Sequence, residues 1–115
     1  MKLEKLKNKI EKATIAVATC DKEGNPHNIV IMYAKVEENK IIITNNYMQK
    51  TKGNLKENSR IALVFWEGEN GWKINGEAKY YNSGKWLEFV KSLKENKGHP
   101  ARGAIVINVK EIKKC

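Results

Sequence analysis

A chain of 115 residues, 41% hydrophobic and 30% charged, fits one packed domain over residues 1–115, with no apolar run long enough to cross a bilayer. Its Lys-rich start carries no signal-peptide pattern, so the expected setting is cytoplasmic, away from membranes. The formal charge of +9 would ordinarily raise nucleic acid as a partner, but the cations are spread along the chain and Arg60 and Arg102 are its only arginines, whereas base-edge readout favours arginine. Such a surface would still attract a phosphorylated cofactor.

Leu3, Leu6 and Ile10 recur at helical spacing among charged residues, which predicts a short amphipathic helix over residues 2–12. Residues 14–19 are small and β-branched and read as a strand, and Asp21 to Pro26 is a turn, so a hairpin follows. Its second arm, residues 27–36, is nearly all apolar through Ile29-Val30-Ile31-Met32-Tyr33. That run predicts burial on both faces, or one face set against a ligand or partner. Residues 37–39 turn the chain into a strand at residues 41–44.

The next stretch, residues 44–60 (TNNYMQKTKGNLKENSR), organises the rest. A β-branched run ends at Thr44, and Met48, Thr51 and Leu55 then share one face of a basic helix. A helix start carries unpaired N–H groups and partial positive charge, so Lys50, Thr51 and Lys52 are candidates for an anion site. The same window also reads as an ordinary capped helix with a solvated lysine face.

Residues 60–66 form another strand, residues 67–71 a turn, and residues 72–81 the antiparallel mate, with Trp72, Ile74, Gly76 and Ala78 alternating against polar neighbours. Gly76 suggests a bulge or a close backbone approach. Asn82 or Ser83 would cap a helix running to Asn96, with Trp86, Phe89, Val90 and Leu93 on one face. Residues 97–100 end it, residues 104–109 form the last strand, and a Lys-rich tail follows. The sum is mainly β with short helices, six strands closing as an antiparallel barrel that leaves no exposed edge.

The order of these elements resembles the FMN-binding split barrel of the pyridoxamine 5′-phosphate oxidase-like superfamily. The resemblance is carried by residues 15–19 (IAVAT), the turn at residues 24–27 (GNPH), residues 33–36 (YAKV), Met48-Gln49-Lys50-Thr51 with Asn54, residues 57–60 (ENSR), residues 74–78 (INGEA) and the closing residues 101–107 (ARGAIVI). It implies a six-stranded antiparallel split β-barrel that binds FMN as a homodimer, the flavin lying at the interface. Val30, Ile31 and Met32 would line the flavin ring. Lys50 and Thr51 would hold the phosphate, helped by Thr44 and Asn45, which is where the residues alone placed an anion site. The chain departs from the oxidases in carrying Asn28-Ile29 where they place an arginine for the phosphate. It also ends at Cys115 without their C-terminal substrate segment, so the resemblance implies no pyridoxamine 5′-phosphate oxidation. An FMN-dependent oxidoreductase or electron-transfer flavoprotein remains, with a small-molecule or protein redox partner.

Other residues carry two readings each. Trp66 and Trp72 would face the flavin or the dimer seam, or else pack as a core or hairpin pair, and Trp86 belongs to the core. Lys73 would either sit near the flavin or be a solvated strand lysine. His27 and His99 titrate in a useful range but have no carboxylate at a suggestive spacing. Cys20 reads as a small buried residue, and with Cys115 it offers no zinc spacing, so no metal is expected. No Ser/His/Asp set, paired carboxylates or Gly-rich phosphate loop is present. The alternatives to an FMN protein are a basic barrel that binds single-stranded nucleic acid, with Trp66, Trp72 and Tyr81 as stacking platforms, and the same barrel carrying a deazaflavin or haem.

Overall fold

A computed structural model describes all 115 residues. A 3₁₀ turn at Leu3–Leu6 runs into α1 (Lys7–Lys12), followed by β1 (Ile15–Cys20), β2 (Pro26–Ile31), β3 (Lys35–Glu37) and β4 (Lys40–Asn45). Then come α2 (Gln49–Glu57), β5 (Arg60–Glu67), β6 (Asn70–Tyr81), α3 (Lys85–Lys91), a 3₁₀ turn at Lys94–Asn96, and β7 (Gly103–Lys114). All strand pairs are antiparallel, in the order β2-β1-β5-β6-β7-β4-β3.

Two expectations about the sheet need correction. It has seven strands rather than six, and its ladder is open, because β2 and β3 are its two edges and do not pair. Both differences arise at Tyr33, whose φ of 65° breaks the apolar arm into two strands. The edges nevertheless stay close. Only residues 32–34 separate them, a reach of roughly 14 Å, whereas seven strands laid flat would set their edges about 29 Å apart. The sheet must therefore curl into a barrel split along this seam.

Hairpin turns and one bulge set the register. Asp21 accepts hydrogen bonds from the Glu23 and Asn25 amides, each at 2.9 Å, and Gly24 supplies the left-handed residue of that turn at φ 87°. Gly76 is both things predicted of it. The β6–β7 register shifts at Asn75/Gly76, and a Cβ there would stand 2.5 Å from the Asn108 carbonyl oxygen. Past the bulge, β7 continues through the stretch expected to be a tail, pairing Ile112 to Lys114 with Trp72 to Ile74.

Alternation along the strands makes two cores. Ile41, Ile43, Ile105 and Ile107 point inward with Val17, Leu63, Phe65, Trp72 and Ile74, and Leu3, Leu6, Ile10 and Leu55 cap that interior. Ile42, Ala104 and Val106 point outward beneath Trp86 and Val90 of α3, so β4 and the first half of β7 are buried on both faces. The expected cap of α3 also differs, since Gly84 at φ 83° occupies the N-cap with no side-chain hydrogen bond, and the helix stops at Lys91 rather than Asn96.

Candidate functional site

The turn from β4 into α2 is fastened by asparagines. Asn45 is only 2% exposed, and its Oδ1 accepts the Met48 amide at 2.7 Å while its Nδ2 donates to the Tyr80 hydroxyl at 2.7 Å. Asn46 is tied to the loop before β7. Its side chain exchanges hydrogen bonds with Asn96 and accepts the Ala101 amide at 2.9 Å, and its carbonyl accepts Arg102 Nε at 2.9 Å. Beyond them α2 begins with unmet donors. The Lys50 and Thr51 amides find no acceptor in the chain, and the Thr51 hydroxyl, on a side chain only 1% exposed, has no partner either.

A cleft of about 490 Å³ opens over this turn, lined by Val30, Met48, Lys50 and Thr51 together with His27, Ile29 and Tyr47. A second, of about 210 Å³, adjoins it through Val30, Asn46 and Met48 and reaches Ile31, Met32, Thr44, Glu95 and His99. Both volumes suit parts of one small-molecule site, since such sites span roughly 300–1,000 Å³. Of the seven residues singled out from sequence, Val30, Lys50 and Thr51 border the first cleft and Val30, Ile31, Met32 and Thr44 the second, so six of them lie along this two-part depression. Asn45 does not. It lies behind the wall, with one side-chain oxygen and one side-chain nitrogen already engaged.

One lip of the depression is apolar and open, since Val30, Met32, Tyr33 and Tyr47 are all exposed, and only Ile31 turns into the core. Glu95, which also lines the second cleft, is held by an ion pair with Lys35 at 2.5 Å, both side chains being largely covered. The hydrogen bond from Lys35 keeps the Glu95 carboxyl below its ordinary value. Sequence reasoning passed over Asn46, Met48, Tyr47 and Glu95 as wall residues. Glu95 carried no signal, because its place follows from the 3₁₀ turn after α3. Tyr47 and Asn46 stood inside the stretch already marked, at residues 44–60, but were not singled out within it.

The remaining candidates fall away from the cleft. Trp72 is core, stacked on Phe65 at 5.2 Å, while Trp66 is 56% exposed and, like the exposed Lys73, borders neither depression. Cys20 is half-buried and takes a hydrogen bond from Asn58 at Sγ, so it is less enclosed than its small size suggested. The His27 and His99 rings reach the depression, and His99 meets Tyr47 edge-on at 6.2 Å.

A family model described as pyridoxamine 5′-phosphate oxidase matches residues 3–115. The chain belongs to that family. A protein of Methanocaldococcus jannaschii is 30% identical to this family member over 117 residues, covering 95% of this chain and 77% of that protein. The crystal structure of HupZ from Group A Streptococcus superposes with a TM-score of 0.88 at 22% identity, covering 99% of this chain and 94% of that one. An FMN-binding protein from Syntrophomonas wolfei superposes with a TM-score of 0.78 at 18% identity, covering 97% and 84%. These two likenesses bear on the fold alone.

Proposed function

We propose that this chain is an FMN-binding flavoprotein, an oxidoreductase or electron carrier that works as a homodimer with the flavin at the seam. The observation that carries the proposal is the Thr51 hydroxyl, buried without a partner in a turn whose Lys50 and Thr51 amides are also unmet, with the exposed Lys50 next in sequence. An uncompensated hydroxyl costs about 1–3 kcal/mol, and a phosphate seated over this turn would supply the missing acceptors. Lys50 contributes the charge, Thr51 and the amides the directional donors, and Thr44 reaches the ribityl chain. Asn45 acts from behind by holding the turn.

Val30 and Met32, with the edge of Ile31, offer a flat heterocycle an apolar face. The bound flavin supplies the redox chemistry, and the chain supplies binding, orientation and the exclusion of water. The exposed side chains of Val30, Met32, Tyr33 and Tyr47 are what a second copy of the chain would cover, since large apolar groups left in water near one another mark an interaction site. A small-molecule or protein redox partner would then approach the open side. Pyridoxamine 5′-phosphate oxidation forms no part of the proposal.

Nucleic-acid binding loses support from the same geometry. Of its three stacking platforms, Trp72 is buried against Phe65 and Tyr81 is half-buried under α3, which leaves Trp66 alone. Mass spectrometry of the small molecule released from purified yellow protein tests the proposal. FMN is the expected mass. A deazaflavin or haem in its place would keep the barrel and refute the cofactor, and a colourless protein that takes up no flavin would refute the function.

A further inference from the structure

Asn45 is held by a residue two strands away. In the sheet β7 lies between β6 and β4, and Asn45 of β4 pairs directly with Gly103 of β7. Tyr80 of β6 stretches its ring across Gly103 so that its hydroxyl meets Asn45 Nδ2 at 2.7 Å. Only glycine permits this crossing, because a methyl group at position 103 would overlap the hydroxyl and ring of Tyr80. The amide orientation of Asn45 is fixed as well. Its oxygen must face the Met48 N–H, which leaves its nitrogen to face the tyrosine. On the far side of the ring's contacts, the Lys52 ammonium lies 5.1 Å from the ring centroid, so Tyr80 touches α2 through that lysine and governs its start through Asn45.

We infer that Tyr80, crossing Gly103 to grip Asn45, is a positioning residue that sets the aim of the first turn of α2 and so the strength of phosphate binding there. The inference rests on the flavin reading of the cleft for its ligand, and on the strut alone for its mechanics. Met48 is the residue at which Asn45 pins the helix start, and Lys50 and Thr51 follow within one turn. Freeing Asn45 lets that turn fluctuate, so the amides and the hydroxyl no longer converge on one point. Binding that uses the phosphate suffers, while contacts to the ring, made from Val30 of β2 and Met32 just beyond it, do not.

The test is a pair of titrations, FMN and riboflavin, on wild type, Tyr80→Phe and Gly103→Ala, together with hydrogen exchange at the Met48 amide. Tyr80→Phe removes one hydroxyl and keeps the ring. It is expected to weaken FMN about three- to tenfold, the size of one lost hydrogen bond, with riboflavin affinity unchanged and Met48 exchanging faster. Gly103→Ala should act in the same direction and more strongly. Unchanged FMN affinity in Tyr80→Phe overturns the inference, and so does a parallel fall for FMN and riboflavin, which is what a merely structural residue would produce. If wild type binds neither flavin, the flavin reading has failed, and the strut stands or falls on Met48 exchange, with unchanged exchange overturning it.

Discussion

At the polar end of the depression Asn45 and Asn46 bond to Tyr80 of β6, to the Met48 amide and to Asn96, Ala101 and Arg102 before β7, whereas at the apolar end Val30 and Met32 leave 68% and 60% of their surface in water. The first end is braced within the chain, yet it leaves the Thr51 hydroxyl and the Lys50 and Thr51 amides without partners. The second is unfinished, and the half-turn at Tyr33 keeps it at the open seam of the sheet, where a ring and a second subunit have access. Pre-organisation and openness are thus divided between two segments of the chain. On the proposed reading, a ligand's charged tail would meet the braced turn, while its flat part would meet a surface that a second copy completes.

Removing the pre-organisation should have the largest effect. Asn45→Ala deletes two buried hydrogen bonds and strands the Met48 amide, so thermal or urea unfolding is expected to show a loss of about 2–4 kcal/mol together with FMN affinity. Val30→Glu with Met32→Glu attacks the open end instead. If the proposed dimer forms through this face, sedimentation is expected to find wild type dimeric and the variant monomeric, with monomer stability little changed because both side chains are already solvated. A dimer that persists would place the seam elsewhere.

Thr51→Val sharpens the contrast because its two effects have opposite signs. Replacing an unpartnered buried hydroxyl by a methyl of the same shape should stabilise the free protein by about 1 kcal/mol in urea unfolding, and it should weaken FMN binding. Stability lost alongside affinity would show that the hydroxyl has a partner within the chain.

The smallest effect lies outside the site, where α1 is fastened to β3. Burial alone would push Glu11 up, but the hydrogen bonds from Lys7 at 2.6 Å and from the Val36 amide at 2.9 Å outweigh it and hold the carboxyl below its ordinary 4.5. A depressed folded value means that the carboxylate adds stability above pH 4.5 and loses it as pH falls through the folded value. Glu11→Gln should therefore cost about 0.5 kcal/mol at neutral pH, with the difference from wild type vanishing in acid.

Much of this molecule is legible in the order of its residues. The strand-to-helix passage at residues 44–51 is announced by β-branched residues giving way to a basic, hydroxyl-bearing helix start, and Gly76 announces its bulge. The edge of the sheet was not legible. Tyr33 adopts a left-handed backbone in an unbroken apolar run that contains no glycine or proline, so nothing local marks the split of one arm into β2 and β3. The role of Asn45 was hidden for another reason. A polar residue at a strand end serves equally as ligand or cap, and only Tyr80, 35 positions away in sequence, decides between them. The strand at residues 110–114 was masked by its lysines, which point to solvent while their backbone pairs with β6.

The most direct trial of the central claim is a fluorescence titration with FMN of wild type beside the double variant Lys50→Ala, Thr51→Ala, with folding checked by circular dichroism. The account predicts saturable binding by wild type and its loss in a variant that keeps the β-rich spectrum. Full flavin occupancy in the folded double variant would contradict it.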